Sequence, residues 1–501
     1  MGIILKIHNV KNIDDFTFTI PTEKGLYALT GENASGKSTI VSCAAAAFYV
    51  PSFSDYFGVP REGAYINFSF EGKERRVAEK NGKWQTPARN EFLGITGFYE
   101  GSIVFGNRFK DIDYSLLGRL ATIGKEKLMP ASDFVKQGLG EILHDDKNYY
   151  SDLYILKSQA VREMHLRRSH YYYQNKNSLI SQLNMSTGEN LLLTILSSIE
   201  MRLKKEVYGQ TPAFMFLDEI ELALHSSALR RLVYFLHNIA ENNNTMVLFS
   251  THSIELIRSI KPENIFYIQR YVDGSMETIN PCFPVYATRN LESSNYGHDF
   301  IILVEDDLAR NIIERILREK RLLSNKRVIV IAVGGWTQVL KFAYDTIRSN
   351  LALSTTKILI ILDKDIKNDV PNFMKKEHIG FTIEPQYLPI KSLEKYLLSS
   401  LVKNVDRSLF RTLNDYLFQG KSLDEIIKSY DMNVKNGIVT DEERIKNGKI
   451  LYDMLRHELK QIRKSDTDLI ELIIDHLFGN DGDDIKELSV FLEKQLELSD
   501  K

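Results

Sequence analysis

Alternation of apolar and polar positions opens the chain. Ile3, Leu5 and Ile7, then Phe16, Phe18 and Ile20 ahead of Pro21, follow the two-residue period of strands with one buried face. Leu26–Leu29 is a continuous apolar run leading into a Gly-rich loop, and the Ala-rich stretch Thr39–Tyr49 reads as a helix. Residues 50–130 mix short strands and turns, with a strand at Asn67–Phe70. Residues 131–180 read as mainly polar and helical, ending in Tyr- and Asn-rich sequence. Two further apolar runs, Phe214–Leu217 and Met246–Phe249, flank a segment of helical period, Ala223–Ile239, with Leu229, Leu232, Val233 and Leu236 on one side. Apolar strands separated by a helix predict a parallel sheet covered on both faces. Turn-forming residues gather between 281 and 298, and a second series follows: strands at Phe300–Val304, Arg327–Val333 and Lys357–Leu362, helices at Leu308–Glu319 and Val339–Arg348. From Leu393 onward the pattern is almost wholly helical.

Composition sharpens this picture. The 501 residues provide apolar material for more than one core, and 64 Lys and Arg against 66 Asp and Glu exclude a globally basic nucleic-acid coat while leaving room for a local basic face. Cys43 and Cys282 are far apart, and no secretory leader or run of membrane-spanning length is evident, so a soluble protein of the reducing cytoplasm, with no membrane partner, is expected.

Gly31-Glu-Asn33-Ala-Ser-Gly36-Lys37-Ser38-Thr39 fits a phosphate-binding loop between a strand and a helix. Its glycines let backbone N–H groups curl around phosphates, the helix N-terminus adds favourable partial charge, Lys37 reaches the β/γ-phosphates and Ser38 ligates Mg²⁺. Asp218, at the end of the 214–217 strand, is placed for the metal shell, and Glu219 for orienting and deprotonating an attacking water. Ser186-Thr187-Gly188-Glu189 precedes a Leu-rich helix and by itself also reads as a helix cap; Ser250-Thr251-His252-Ser253 follows the 246–249 strand.

In this order the motifs resemble the ATP-binding-cassette ATPases of the SMC/RecF-like branch. The resemblance implies that Ser186, Gly188 and Glu189 form the signature, with Thr187 where glycine is commoner, and that His252 is the switch histidine. It further implies that one copy's signature faces another's phosphate loop, so that at least a homodimer assembles around ATP. The glutamine-bearing loop expected between the two motifs has only Asn107, next to Arg108, as a polar candidate.

A second set of acids follows. Glu305-Asp306-Asp307 ends one strand, Gly334-Gly335 follows the next, and Asp363-Lys364-Asp365 ends the third. Carboxylates at the C-terminal ends of successive strands stand where α/β folds place their sites, and strand alternation predicts Asp363 and Asp365 on one side with Lys364 turned away. Oxygen ligands suit Mg²⁺, and Mn²⁺ also. Each acid taken singly also reads as a solvated turn. Together they resemble a TOPRIM domain, and an ABC-type ATPase followed by TOPRIM resembles the OLD (overcoming lysogenization defect) family of nucleases. Under that resemblance Glu305, Asp307, Asp363, Asp365 and Glu394 are metal ligands, and Lys449 supports the transition state. Ala309 stands where the family has a second acid, which leaves Asp306 or Asp307 to compensate.

The expected organisation is an ABC/SMC-like ATPase domain over 1–280 with a helical insertion at about 115–180, a linker at 281–298, a TOPRIM domain at 299–400 and a helical extension at 401–501. The expected activity is ATP-regulated, metal-dependent cleavage of nucleic acid in anti-phage defence, DNA ahead of RNA, alone or with other defence proteins. An RNA-cutting effector and an ATP-dependent sensor with an inactive TOPRIM domain are the alternatives. Arg162, His165, Arg167, Arg168, His170, Tyr171–Tyr173 and Lys176 make a basic, aromatic stretch of the kind nucleic acid wants, though a Tyr-rich helix edge is more often a protein interface or core.

Overall fold

The computed structural model describes residues 2–48, 57–85, 93–101, 118–120, 122–166, 169–175, 178–203, 213–291, 297–380, 384–479 and 483–497. The chain divides into two compact units, Met1–Asn295 and Tyr296–Lys501.

The first unit begins with β1 (Gly2–Val10), β2 (Ile13–Pro21), β3 (Gly25–Gly31) and α1 (Lys37–Ala45). Then come β4 (Tyr65–Phe70), β5 (Lys73–Lys80), β6 (Lys83–Gln85) and β7 (Gly97–Gly101). After these run β8 (Leu128–Pro130), α2 (Asp133–His144), β9 (Leu153–Leu156), α3 (Ser158–Glu163), β10 (Tyr171–Asn175) and β11 (Ser178–Ser181). The unit closes with α4 (Thr187–Leu203), β12 (Ala213–Asp218), α5 (Ser226–Asn242), β13 (Thr245–Ser250), α6 (Ile254–Arg258), β14 (Ile265–Arg270), β15 (Met276–Ile279) and α7 (Pro284–Thr288).

Its central sheet has the order β15-β14-β3-β13-β12-β7, parallel except for β15. Alternation along these strands supplies two cores. Phe214, Phe216, Met246 and Leu248 face α1 and the antiparallel sheet β2-β1-β4-β5-β6, while Met215, Leu217, Val247 and Phe249 pack with apolar residues of α4 and α5. Both faces are thus buried, which is why the strands are continuously apolar.

Two expectations are corrected here. The insertion at about 115–180 is not helical throughout: β8 to β11 form an antiparallel sheet, with α2 and α3 between its strands. Tyr171–Tyr173 lie on β10, with Tyr171 and Tyr172 buried rather than on a helix edge. Arg167, Arg168 and Lys176 lie outside the described residues, as do Asn107 and Arg108. The expected linker is also partly structured. Cys282, Pro284, Val285, Ala287 and Thr288 are buried in the first unit, and α7 occupies the middle of the segment.

The second unit is built on the parallel sheet β17-β16-β18-β19, from β16 (Phe300–Val304), β17 (Val328–Ala332), β18 (Lys357–Leu362) and β19 (Gln386–Tyr387). The helices α8 (Asp307–Glu319), α9 (Trp336–Arg348) and α10 (Val370–Lys376) connect its strands. Beyond them lie α11 (Leu393–Leu398), α12 (Arg407–Tyr416), α13 (Leu423–Lys435), α14 (Glu442–Lys446), α15 (Lys449–Gln461), α16 (Asp466–Gly479) and α17 (Asp483–Leu496).

Candidate functional sites

The loop between β3 and α1 forms around two glycines. Gly31 has φ +149°, and a Cβ there would lie 2.4 Å from the Ile268 carbonyl oxygen; Gly36 has φ +97° and caps α1. No other residue type fits both conformation and space at Gly31. Lys37 is buried, and its ammonium donates to the carbonyls of Gly31 (3.1 Å) and Glu32 (2.8 Å), so it is folded into the loop. Burial pushes it down to about 8, although Asp218, Glu219, Glu221 and Glu32 favour its charge.

Opposite Asp218 in the sheet register stands Ser250. Its hydroxyl donates to Asp218 and accepts from the Glu219 N–H (3.1 Å), so one side chain orients both acids. Burial raises Asp218 to about 6, against the hydrogen bond from Ser250. Glu219 sits at φ 54°, a strained conformation for a side chain of its kind. Glu221 accepts from the His252 N–H at 2.6 Å. Burial first, then Lys37, lowers His252 below its usual range, so its imidazole is neutral at pH 7. Asp218 Oδ2 and His252 Nδ1 are buried polar atoms without a hydrogen-bond partner among the described residues. The free Asp218 oxygen and the Ser38 hydroxyl beside it are hard oxygen donors of the kind Mg²⁺ takes, so these two residues fit the expected ion.

At Ser186-Thr187-Gly188-Glu189 a reciprocal cap forms: Glu189 Oε2 accepts from the Ser186 N–H (2.8 Å) and hydroxyl (2.7 Å), and the Glu189 N–H returns to Ser186 Oγ (3.2 Å). Gly188 is packed so that a Cβ would meet the Ala223 carbonyl oxygen at 2.7 Å, while Ser186 and Thr187 are exposed. The other oxygen of Glu189 accepts from the buried Tyr150 hydroxyl at 2.6 Å. Asn33 is exposed, and Thr39 is buried in the first turn of α1.

Ser250, Glu221 and Tyr150 were not among the expected site residues. Ser250 carried a signal, being the last residue of the strand paired with the one that ends in Asp218. Glu221 and Tyr150 carried none beyond residue type.

In the second unit, Glu305 follows β16 and accepts from the N–H of Asp363 (2.7 Å), just past the end of β18, and from that of Trp336 (3.1 Å), which opens α9. Asp306 caps α8 through the Ala309 N–H (2.8 Å). Asp363 is buried and is raised to about 9, first by burial, then by Glu305, Asp306, Asp365 and Glu394. Burial, opposed by the Asp363 N–H, holds Glu305 at about 6.

The expected strand alternation does not position the two aspartates. The strand ends at Leu362, and Asp363 stands at the N-cap position of a short 3₁₀ turn, Lys364–Ile366, so the two-residue alternation of a strand no longer applies from Lys364 onward. Asp365 is ion-paired with Lys395 and Lys364 is exposed. Asp307 does not enter the group as expected: it is exposed and pairs with Arg310 at 3.0 Å, since the first position of a helix points outward beside i+3. Asp306 takes its place, and Ala309 is fully buried. Glu394 lies in the first turn of α11, and the chain before α15 packs on it: a Cβ on Gly448 would lie 2.2 Å from the Glu394 carbonyl oxygen. Lys449, the next residue, is exposed.

The donor set is carboxylate only, as hard divalent ions prefer, and the charge around Asp363 calls for a cation. The residues fit that group chemically. As arranged, no three His, Cys, Asp or Glu among the described residues stand close enough to hold one ion.

Comparison with known proteins bears on the first unit. A family model described as "AAA domain, putative AbiEii toxin, Type IV TA system" matches residues 124–258, and an "AAA domain" model matches residues 5–92. The first unit therefore carries AAA-type ATPase domains. No curated protein matches the chain. Among solved structures, the SMC head domain from Thermotoga maritima is similar at 16% identity, covering 56% of this chain and 99% of its own, with a TM-score of 0.32. An SmcHead bound to the C-winged helix domain of ScpA gives 16%, 56%, 98% and 0.36. The Smc head domain with an extended coiled coil, bound to the C-terminal domain of ScpA derived from Pyrococcus furiosus, gives 14%, 55%, 95% and 0.34. No helix among the described residues is long and apolar enough to cross a membrane.

Proposed function

We propose that the protein is an ATP-regulated nuclease of the OLD kind, with an SMC-like ATPase unit followed by a TOPRIM-like unit, acting on DNA in the cytoplasm in defence against phage. The observation that carries the reading is the buried Asp363, surrounded by Glu305, Asp306, Asp365 and Glu394 at the C-terminal edge of a parallel sheet. A stack of carboxylates at such an edge has no structural value of its own, because each destabilises the others' charge.

In the first unit Lys37 leaves its loop carbonyls for the β/γ-phosphates of ATP, Asp218 and Ser38 hold Mg²⁺, Glu219 takes the proton of the attacking water, and neutral His252 donates an N–H to the γ-phosphate. Gly31, Asn33, Gly36 and Thr39 shape the cradle. The exposed end of α4, with Ser186, Gly188 and Glu189, completes the site of a second copy. In the second unit Glu305, Asp363, Asp365 and Glu394 would hold divalent metal after drawing closer than they stand here, with Asp306 in the place expected of Asp307. The bound metal supplies activation of water and stabilisation of the leaving oxygen. Lys449, beside Glu394 in the fold, stands ready for the charge that develops on the phosphate. The description of the AbiEii-type model supports the defence role.

A second reading, an ATP-dependent sensor with an inactive second unit, is favoured by one observation: Lys395 already neutralises Asp365 while backbone N–H groups occupy both oxygens of Glu305. Purified protein incubated with plasmid, single-stranded DNA and total RNA, in Mg²⁺ or Mn²⁺, with and without ATP, separates them. Cleavage abolished by Asp363→Ala supports the nuclease and identifies the polymer. ATP hydrolysis without any cleavage supports the sensor.

A further inference from the structure

The turn that carries Asp363 and Asp365 also borders a cavity of about 200 Å³ within the second unit. Lys364 and Lys367 line it from the turn, Gln386 and Tyr387 from β19, and Glu487 and Phe491 from α17. The Lys367 ammonium lies over the Tyr387 ring, 5.6 Å from its centroid. Both lysines are exposed, and neither has an ion-pair partner among the described residues.

Two cations, two aromatic rings, an amide and one carboxylate, Glu487, converge here; the cations outnumber the acid, and the set suits a flat, hydrogen-bonding ring attached to an anion. The volume is below the roughly 300 Å³ at which whole small-molecule sites begin, which argues against a complete cofactor. A single base is smaller and has a π-face that stacks on aromatic side chains whatever its identity.

We propose that this cavity seats one nucleotide of a nucleic-acid strand, with its base against Tyr387 and Phe491 and its phosphate on Lys364 and Lys367. Lys364 lies between the two acids in sequence, so a strand anchored here delivers its neighbouring phosphodiester to Asp363. That last step rests on the nuclease reading; the class of ligand rests on the lining alone.

The test is fluorescence anisotropy of a 5′-fluorescein-labelled dodecathymidylate, and of an abasic strand of equal length, binding to the full chain in EDTA without ATP. Tyr387→Ala weakens the thymidylate about 5- to 100-fold and the abasic strand little. Tyr387→Phe, which keeps the ring, restores affinity. Lys364→Ala with Lys367→Ala weakens both strands and lowers the salt slope by about 1 to 2. Thermal melts confirm that each variant is folded. No binding, or equal loss for both strands in Tyr387→Ala, overturns the proposal. Cleavage by wild-type protein in Mn²⁺ is scored separately: ring-dependent binding without cleavage defeats the nuclease reading and leaves the pocket, whereas cleavage without ring-dependent binding does the reverse.

Discussion

At Lys37, burial and nearby carboxylates oppose each other, and burial prevails. The ammonium is pushed down to about 8, and in the proposed role ATP's phosphates would bind only its charged form. Nucleotide affinity is therefore expected to fall by roughly an order of magnitude from about pH 7.5 to about pH 9, a range over which an ordinary lysine stays charged. Titration with a fluorescent ATP analogue across that range checks it; a flat profile would show Lys37 to be solvated. Asp363 presents the opposite case. It is held at about 9, so the folded state keeps a proton that the unfolded chain releases near pH 4. Its stabilising contribution is full below about pH 4, declines as pH rises and is gone above about 9. Asp363→Asn, neutral at every pH, should melt like wild type near about pH 4 and above it near about pH 8 when metal is absent. Mg²⁺ or Mn²⁺ should raise the wild-type melting temperature at the higher pH and leave the variant unmoved, because binding must displace the Asp363 proton.

At the scale of elements, the end of α4 is tied to the inserted sheet through Tyr150, which is buried between β9 and α2 and donates to Glu189. His144, stacked on Tyr149 at 3.6 Å and 3.3 Å from the Tyr150 hydroxyl, backs the same bond. A hydrogen bond to a charged group is worth about 1.5–3 kcal/mol, so Tyr150→Phe should lower stability by about that much. If the exposed end of α4 completes a nucleotide site, the variant should also slow ATP hydrolysis at saturating ATP. Unfolding and steady-state ATPase assays on one preparation separate the two effects. The same region shows where sequence patterns stop. The strands ending in Asp218 and Ser250 were legible because both their faces are buried and the run is long enough to carry that signature. The strands β8 to β11 span three to five residues, too few for a period, and Tyr171 and Tyr172 are buried on opposite faces, which erases the alternation. The amphipathic α2 beside them then dominated the reading. In the second unit the acids were legible as strand ends, but the Lys395 pairing with Asp365 and the outward turn of Asp307 depend on tertiary approach and helix phase.

For the whole molecule, the question is what ATP does beyond its own hydrolysis. The phosphate loop is bonded to the segment that leads out of the first unit: Glu32, whose carbonyl holds Lys37, accepts from the Asn290 side chain, and Arg289 stacks on Tyr286 with its guanidinium 3.9 Å from the ring centroid. On the proposed reading Lys37 would leave the Glu32 carbonyl for phosphate, and nucleotide binding would then alter a residue anchored to the chain joining the two units. Ser186 and Thr187 at the end of α4 are exposed, and if they serve a second copy's phosphate loop, a symmetric pair of chains is the simplest arrangement that brings the two together. If Glu219 is the base, as proposed, Glu219→Gln keeps the side chain's shape but removes that base, so ATP should persist and hold such a pair together. Light scattering with saturating ATP is expected to show Glu219→Gln at twice the mass of the single chain and Lys37→Ala at the single-chain mass. Glu219→Gln remaining at single-chain mass while ATP stays bound would mean that the end of α4 caps its own helix and nothing more. Regulation would then have to run within one chain, through Glu32 and Asn290.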